Sequence, residues 1–250
     1  VQAYGRGFAR AYDLKWSGFA RQIAPFILDF YAATPLGQKK KSILDLCCGT
    51  GHLAVCFLEK GYRVVGLDLS APMLHYAREN ARQYLESGQA AFIQADASHF
   101  SLNERFGLVV STYDALNHLE DEAALRSCFE CVYRVSEGYF IFDLNTRRGL
   151  RRWNNLQIDA DDDVFTLTRG FYDGQSDRAW VKITGFLRLP NGLYERFEET
   201  VFNTAFEMKK VKEALLDVGW KTVYFARIQD LKTPLDDPEE EGRVFVVVSK

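Results

Sequence analysis

The segment ILDLCCGTGHLA, Ile43 to Ala54, narrows the choice of folds more than any other part of this chain. An apolar run meets two glycines and then resumes as helix-forming sequence. Strand, glycine turn and helix in that order are how α/β folds hold nucleotide cofactors. The glycines let ligand and backbone approach closely, and the helix N-terminus attracts an anion. The same rhythm continues along the chain. Strand-like SILDLC (42–47), RVVGLDL (63–69), AAFIQA (90–95), FGLVVST (106–112) and GYFIFDL (138–144) alternate with helical stretches, including HLAVCFLEKG, APMLHYARENARQYLES and residues 121–135. Strands this apolar, spaced by helices, predict a doubly wound, mostly parallel sheet covered on both faces.

Before the first strand, a helical pattern runs from Ser17, a candidate N-cap, to about Ala33, and Pro25 is expected to bend or split it. After Asn145 the pattern changes. VFTLTRGFYD, RAWVKITGFLRLP and LYERFEETVFNTAF show partial period-two alternation and many aromatics, with turns at DGQSD and PNG. They predict an antiparallel β insertion of about three strands within residues 147–205. The helix EMKKVKEALLDVG, closed by Gly219, and the strands WKTVYFARI and GRVFVVVSK then complete a single domain over residues 1–250, opened by an N-terminal helical segment at 1–35.

Composition narrows the function classes. The net charge is −3, which gives no electrostatic reason to expect nucleic acid as a partner. No run of about 18 apolar residues predicts a transmembrane helix. VQAYGRGFARAYDLKW lacks the apolar core of a secretory signal, so a cytoplasmic protein is expected; it also lacks a starting methionine, so a few residues are expected to precede it. Cys47, Cys48, Cys56, Cys128 and Cys131 are an odd set. The C-x-x-C at 128–131 lies in a helical pattern with no second pair at zinc spacing, so buried thiols and no metal are expected.

Gly49-Thr-Gly51-His-Leu-Ala54 fits the GxGxxA form of a dinucleotide fingerprint, and Asp68, nineteen residues past Gly49, suits a ribose-binding acid. These signals alone leave a dinucleotide and other adenosine cofactors level. Asp45 separates them. Two like charges about 4 Å apart near a surface repel by roughly 4 kcal/mol at an effective dielectric of 20. A pyrophosphate beside Asp45 would meet a repulsion of that kind. S-adenosyl-L-methionine brings an ammonium and a sulfonium instead, which the same carboxylate attracts.

With LDLCCGTG (44–51), GLDLS followed by ML (66–74), QADAS (94–98) and FGLVVSTYDALNHL (106–119), the chain resembles a class I S-adenosylmethionine-dependent methyltransferase. The similarity is to small stand-alone members with a β insertion after the fifth strand, among them amino-sugar N-methyltransferases and uncharacterised relatives. It implies a seven-stranded Rossmann-like sheet with an antiparallel last strand. It also implies that the Gly49 and Gly51 backbone lies against the methionine portion of the cofactor, with Asp45 serving its ammonium. Asp68, followed by Leu69, would take the ribose hydroxyls. Met73 would lie on the adenine face, and Asp96 with the Ala97 amide would read its edge. Ser111 and Thr112 would cover the methionine moiety, with Tyr12 and Trp16 closing as a lid. Cys47-Cys48 departs from the more usual Ala-Cys.

Methyl transfer from a sulfonium is an in-line displacement for which the protein mostly supplies alignment and exclusion of water. An acceptor that must lose a proton also needs a base. Ligands sit beyond strand C-termini in open α/β sheets, so the search falls on Tyr113–His118, with His118 as candidate base and Asp114 as a base or a grip for an ammonium. Bland readings stand beside these. Asn117 and His118 could cap the next helix, and His52, His75 and His99 read as packing or solvated residues. Arg147, Arg148, Arg151 and Arg152 could grip a nucleotide- or phosphate-linked small-molecule acceptor, or be neutralised by DADDD (159–163). Trp153, Phe171, Tyr172, Trp180 and Tyr194 make the insertion a candidate acceptor lid. An NAD-type oxidoreductase and a non-catalytic cofactor-binding protein are the competing functions.

Overall fold

The computed structural model describes residues 4–250, so the first three residues of the expected N-terminal segment lie outside the described residues. Two helices open the chain, α1 (Arg6–Lys15) and α2 (Ser17–Ala32), followed by the short α3 (Pro35–Lys39). The strands are β1 (Ser42–Leu46), β2 (Arg63–Asp68), β3 (Ala90–Gln94), β4 (Phe106–Ser111), β5 (Ser136–Asn145), β6 (Leu156–Ala160), β7 (Val164–Asp173), β8 (Arg178–Arg188), β9 (Tyr194–Thr204), β10 (Thr222–Ala226) and β11 (Arg243–Ser249). Between them run α4 (His52–Glu59), α5 (Ala71–Asn80), α6 (Arg82–Glu86), α7 (Glu122–Val135), α8 (Arg147–Arg151) and α9 (Met208–Val218).

Seven strands form one sheet in the order β10-β11-β5-β4-β1-β2-β3. Its pairs are parallel except those made by β11, which runs antiparallel to both β5 and β10. The apolar strands alternate between two cores, as their period of two requires. Leu44 and Leu46 face the side covered by α7 and α9, with Phe129, Phe140 and Phe142. Ile43 faces the side covered by α2 and α4, with Ile27, Tyr31 and Phe57. Each such side chain, removed from water, contributes about 1.5–3 kcal/mol, which is what holds both helix layers on the sheet.

Local corrections to the sequence expectations have local causes. Trp16, not Ser17, is the N-cap of α2, because α1 ends one residue earlier and leaves Ser17 as the first helical residue. Pro25 neither splits nor ends α2; it sits on an exposed flank while Ile23, Ala24, Ile27 and Leu28 pack inward and hold the turn. The helix predicted after β2 breaks at Ala81 into α5 and α6. The insertion has four strands, not three, in the order β6-β7-β8-β9. The extra one, LQIDA, is exposed along its whole length and runs into acidic residues, so it carries no hydrophobic alternation to announce it.

The inner face of this second sheet packs Val164, Ile183, Leu187 and Phe197 against Phe8, Ala9 and Ala11 of α1. Helix α1 therefore lies between the two sheets and is tied to both. On one side Asp13 accepts from Asn80 Nδ2 (2.8 Å) and stands 2.9 Å from His52 Nε2. On the other, the Gly5 N–H donates to Glu199 (3.0 Å), and Lys15 pairs with Asp161 (2.5 Å) and Asp159 (3.1 Å). Those two aspartates belong to DADDD, so this run neutralises Lys15 and not the arginines after β5. Arg147 pairs with Asp177 (2.8 Å) and Arg148 with Glu240 (2.5 Å).

A charged cluster locks β11 to the loop after β4. Arg243 spans Asp143 on β5 and Asp114, reaching Asp114 Oδ1 at 2.6 Å, while Asp143 Oδ1 accepts from the Asp114 N–H at 3.1 Å. Asp143 is fully buried. Removing one member of a buried, hydrogen-bonded ion cluster strands the others and typically costs about 3–5 kcal/mol. Arg243→Met is therefore expected to lower the urea midpoint by a corresponding amount at neutral pH. Asp143→Asn in the same background should recover part of the loss, and a midpoint unmoved by Arg243→Met would show that the cluster carries no such energy.

Candidate active site

A cavity of about 680 Å³ opens beyond the C-terminal ends of the parallel strands, between them, α1 and the inner face of the insertion sheet. Its floor includes Cys47 and Gly49, from the turn that leads to Gly51. The turn carries positive φ at Cys47 (59°), Gly49 (54°) and Gly51 (78°), the left-handed region that glycine enters without penalty. A Cβ on Gly51 would lie 3.0 Å from the Ala77 Cα and Cβ, so close packing of α4 on α5 needs glycine there as well. Asp68, at the end of β2, holds the turn in place. Its Oδ2 accepts from the Gly49 N–H and its Oδ1 from the Ser70 N–H, both at 2.8 Å. A carboxylate has about four lone-pair sites, so two remain for hydroxyl donors of a ligand.

Gly49, Asp68, Leu69, Met73, Asp96, Ala97 and Thr112 all line this cavity, with Tyr12 and Trp16 of α1 on the opposite wall. Asp96 uses Oδ1 to accept from the Ser98 N–H (2.8 Å) and Oγ (2.7 Å), which fixes its orientation after β3. Asp45, Gly51 and Ser111 do not form the wall. Asp45 is 2 % exposed beneath the turn. It accepts from the Ala54 N–H, while its Oδ2 has no hydrogen-bond partner among the described residues. Burial first, then the nearby Asp68 charge, pushes its carboxyl up to about 8. An unpartnered buried oxygen of this kind fits a cationic ligand group above it and opposes an anionic one. The expected sulfonium cofactor meets that test and a diphosphate does not.

The loop after β4 supplies the other half of the cavity. Tyr113 and Asp114 adopt left-handed conformations in succession (φ 66° and 51°), and Arg243 secures them by its bond to Asp114 and by lying over the Tyr113 ring at 5.6 Å. Asp114 lines the cavity, but its Oδ1 is committed to Arg243, which leaves it ill placed as a free base. His118 ends the short 3-10 turn Ala115–His118. Its Nδ1 lies 2.6 Å from the Phe202 carbonyl oxygen, which only a donor can satisfy, so the proton sits on Nδ1. Nε2 then keeps its lone pair and accepts from the Tyr4 hydroxyl at 3.1 Å. Asn203 Nδ2, 3.3 Å from Nδ1, donates instead to the Phe202 oxygen (3.0 Å). Asn117, fully buried, caps no helix. It donates to the carbonyls of Asn145 (3.1 Å) and Thr204 (2.9 Å) and accepts from the Asn145 N–H (2.9 Å), which ties the loop to both sheets.

Other candidates fall elsewhere. His75 and His99 are not in the cavity wall, and neither are Arg147, Arg148, Arg151 or Arg152; Arg178 and Arg243 are its cationic side chains. Of the insertion aromatics, Trp153 lines the cavity, Tyr172 is buried with Leu150, and Phe171, Trp180 and Tyr194 lie on the far face of the sheet. Sequence reasoning missed Tyr4 and Phe8, although Tyr4, Phe8, Tyr12 and Trp16 recur every four residues, the spacing of one helix face. It also missed Arg243. The signal was a lone arginine opening an apolar strand, with a lone aspartate inside the equally apolar FIFDLN. The inner-face threonines, Thr166 and Thr168, left no signal in a strand pattern that β-branched residues dominate anyway.

Residues 43–137 match the family described as a methyltransferase domain. A putative methyltransferase of Bacillus subtilis (strain 168), YqeM, is 29% identical over 188 residues, 73% of this chain and 74% of that protein. Among solved structures, an S-adenosylmethionine-dependent methyltransferase from Clostridium acetobutylicum ATCC 824 superposes with a TM-score of 0.79 at 24% identity, covering 97% of each chain. The sugar N-methyltransferase KedS8 from Streptoalloteichus sp. ATCC 53650 superposes with a TM-score of 0.73 at 20% identity, covering 99% of this chain and 96% of that one. Fold likeness runs over the whole chain, insertion included, and sequence likeness over residues 43–137 and, with the Bacillus protein, 73% of the chain; this chain is a class I S-adenosylmethionine-dependent methyltransferase.

Proposed function

We propose that the methyl acceptor is a small, polar, amine-bearing molecule held between the loop after β4 and the threonine-lined inner face of the insertion sheet. One observation carries this reading: a single cavity joins Gly49, Asp68 and Asp96 on one side to His118 Nε2 on the other. Its volume lies within the range of about 300–1,000 Å³ common for small-ligand sites. The likeness of the fold to a sugar N-methyltransferase supports the amine. A nucleotide- or phosphate-linked acceptor would meet Arg178, which donates to the Glu120 carbonyl (2.6 Å) at the cavity wall, since Arg147 and Arg148 are spent on acidic partners outside the cavity.

S-adenosylmethionine, when bound, supplies a methyl group already activated by its sulfonium. The Gly49 backbone, Asp68, Met73, Asp96 and Ala97 would hold it, with Asp45 as the buried counter-charge. The chain contributes orientation and dryness. Tyr12 and Trp16 on α1 shut the cavity from water, and the Arg243 cluster fixes Tyr113 beside the acceptor. A protonated amine is not nucleophilic, so a proton must leave before transfer. His118 Nε2 is the lone pair that can take it, once the Tyr4 hydroxyl yields its place or passes the proton on. The Phe202 carbonyl stabilises the resulting imidazolium through Nδ1–H.

The test is a metabolite and amine screen with methyl-labelled cofactor, read as label recovered in product. His118→Ala should lower kcat by about 10²–10⁴-fold, the usual share of a positioned base, and leave affinity for S-adenosylhomocysteine unchanged. An unaltered kcat would remove His118 from the chemistry. Asp68→Ala removes a charged acceptor worth about 1.5–3 kcal/mol per bond, so cofactor affinity in calorimetry should fall by at least about tenfold. Full affinity in that variant would refute the ribose role.

Asp45 makes a prediction about pH. The folded chain keeps its proton up to about 8, whereas an unfolded carboxyl loses it near 3.9. Stability from this group therefore falls as pH rises between those values. A cation bound above Asp45 favours the charged form, so cofactor binding should release a proton in that window and tighten as pH rises toward about 8. Calorimetric titrations in buffers of different ionisation heat would read the proton, and Asp45→Asn should abolish it. Binding without proton release at neutral pH would show that Asp45 does not sense the ligand.

A further inference from the structure

Three pieces of the glycine-turn region converge on one side chain of α1 that lies outside the cavity. Asp13 Oδ1 accepts from Nδ2 of Asn80 (2.8 Å), the last residue of α5, and stands 2.9 Å from Nε2 of His52, the first residue of α4. The same Asn80 nitrogen donates to the Thr50 carbonyl (3.0 Å), between Gly49 and Gly51 with their positive φ. One amide group thus bonds the turn with one hydrogen and α1 with the other. None of Asp13, His52 and Asn80 lines the cavity. Burial pushes the Asp13 carboxyl up, but the donors from His52 and Asn80 outweigh it and hold it below the usual carboxylate range, so it is charged at neutral pH.

The residue next to Asp13 faces the other way. Tyr12 lines the cavity, and a Cβ built on Gly49 would meet its ring at 3.7 Å, so the ring lies over the turn. It also stands 6.0 Å from the Tyr113 ring, on the loop after β4. Two other polar side chains of α1 bond to the insertion instead, Arg10 to the Arg188 carbonyl (3.0 Å) and Lys15 to Asp161. Among the described residues, Asp13 is the one side chain of α1 hydrogen-bonded to the Rossmann-like half.

We propose that Asp13 is a positioning residue for the cofactor. Acting through Asn80, it fixes the turn beneath the ligand and the Tyr12 ring above it as one unit, and so sets how long the ligand stays bound. This rests on the reading that the cofactor lies against Gly49 and Asp68, and adds to it a side chain that touches no ligand atom. Without Asp13, Asn80 loses its charged acceptor, and α1 itself keeps only apolar packing against this half, Phe8 with Met73. Apolar packing is non-directional, whereas a charge-assisted hydrogen bond fixes distance and angle. Tyr12 then loses its set height over Gly49 while the fold survives.

Chasing labelled S-adenosylhomocysteine from the whole chain reads the dissociation rate, with no methyl acceptor needed. Asp13→Ala should raise that rate at least about tenfold, the worth of a hydrogen bond to a charged group. Asp13→Asn, which keeps an acceptor for Asn80, should raise it less. Asn80→Ala should act at least as strongly as Asp13→Ala, and the double variant should be no worse than Asn80→Ala alone, because the two residues work in series. Should Asp13→Ala fail to fold, Asn80→Ser carries the comparison. A lowered urea midpoint with an unchanged dissociation rate, or additive effects in the double variant, overturns the proposal. Asp68→Ala tells the two readings apart. Weakened binding there, with an unchanged rate in the Asp13 variant, sinks only the role of Asp13, whereas full affinity in Asp68→Ala sinks the site assignment beneath it.

Discussion

A carboxylate taken out of water is tolerable only with hydrogen bonds or a positive charge against it, and four of them crowd the ends of this sheet. Asp143 is fully buried and answered by Arg243, which also holds Asp114. Asp68 is answered by two backbone N–H donors from the turn and from the start of α5. Asp45 receives one N–H, and one of its oxygens is left without a partner. The first two arrangements are complete within the chain. The third is incomplete among the described residues, and under the proposed function a cationic group of the cofactor completes it.

Helix α1 converts this sheet end into a closed site. It is tied to the Rossmann-like half through Asp13 and to the insertion through Lys15 and Gly5, and its aromatic stripe fills the gap between them. Tyr4 continues the stripe to His118 Nε2. The glycine-turn wall and the insertion wall of the cavity thus share one element, whose displacement would open both together. The arginines and acids around α8, in contrast, satisfy each other away from the cavity, as surface charge usually does.

Much of this was legible in order along the chain. The apolar strands at 42–47, 63–69, 106–112 and 138–144 came out within a residue or two, because burial on both faces leaves few polar positions to confuse the pattern. The Gly219 stop of α9 was equally plain, since it rests on local backbone chemistry. LQIDA was not legible, being short, exposed and acidic at its end. The continuity of α2 through Pro25 was not either, because packing of Ile23 and Ile27 overrode a local breaker.

By itself, then, the sequence determined the sheet, the turn that interrupts it and the carboxyl beneath that turn, because each depends on residues near one another in the chain. Only the tertiary structure decided that Asp114 belongs to Arg243, 129 residues away, that Lys15 and not an arginine meets the acidic run, and that Tyr4 reaches His118. Those partnerships join strands and helices whose meeting is set by topology. No local pattern encodes which of several available opposite charges will lie within bonding distance.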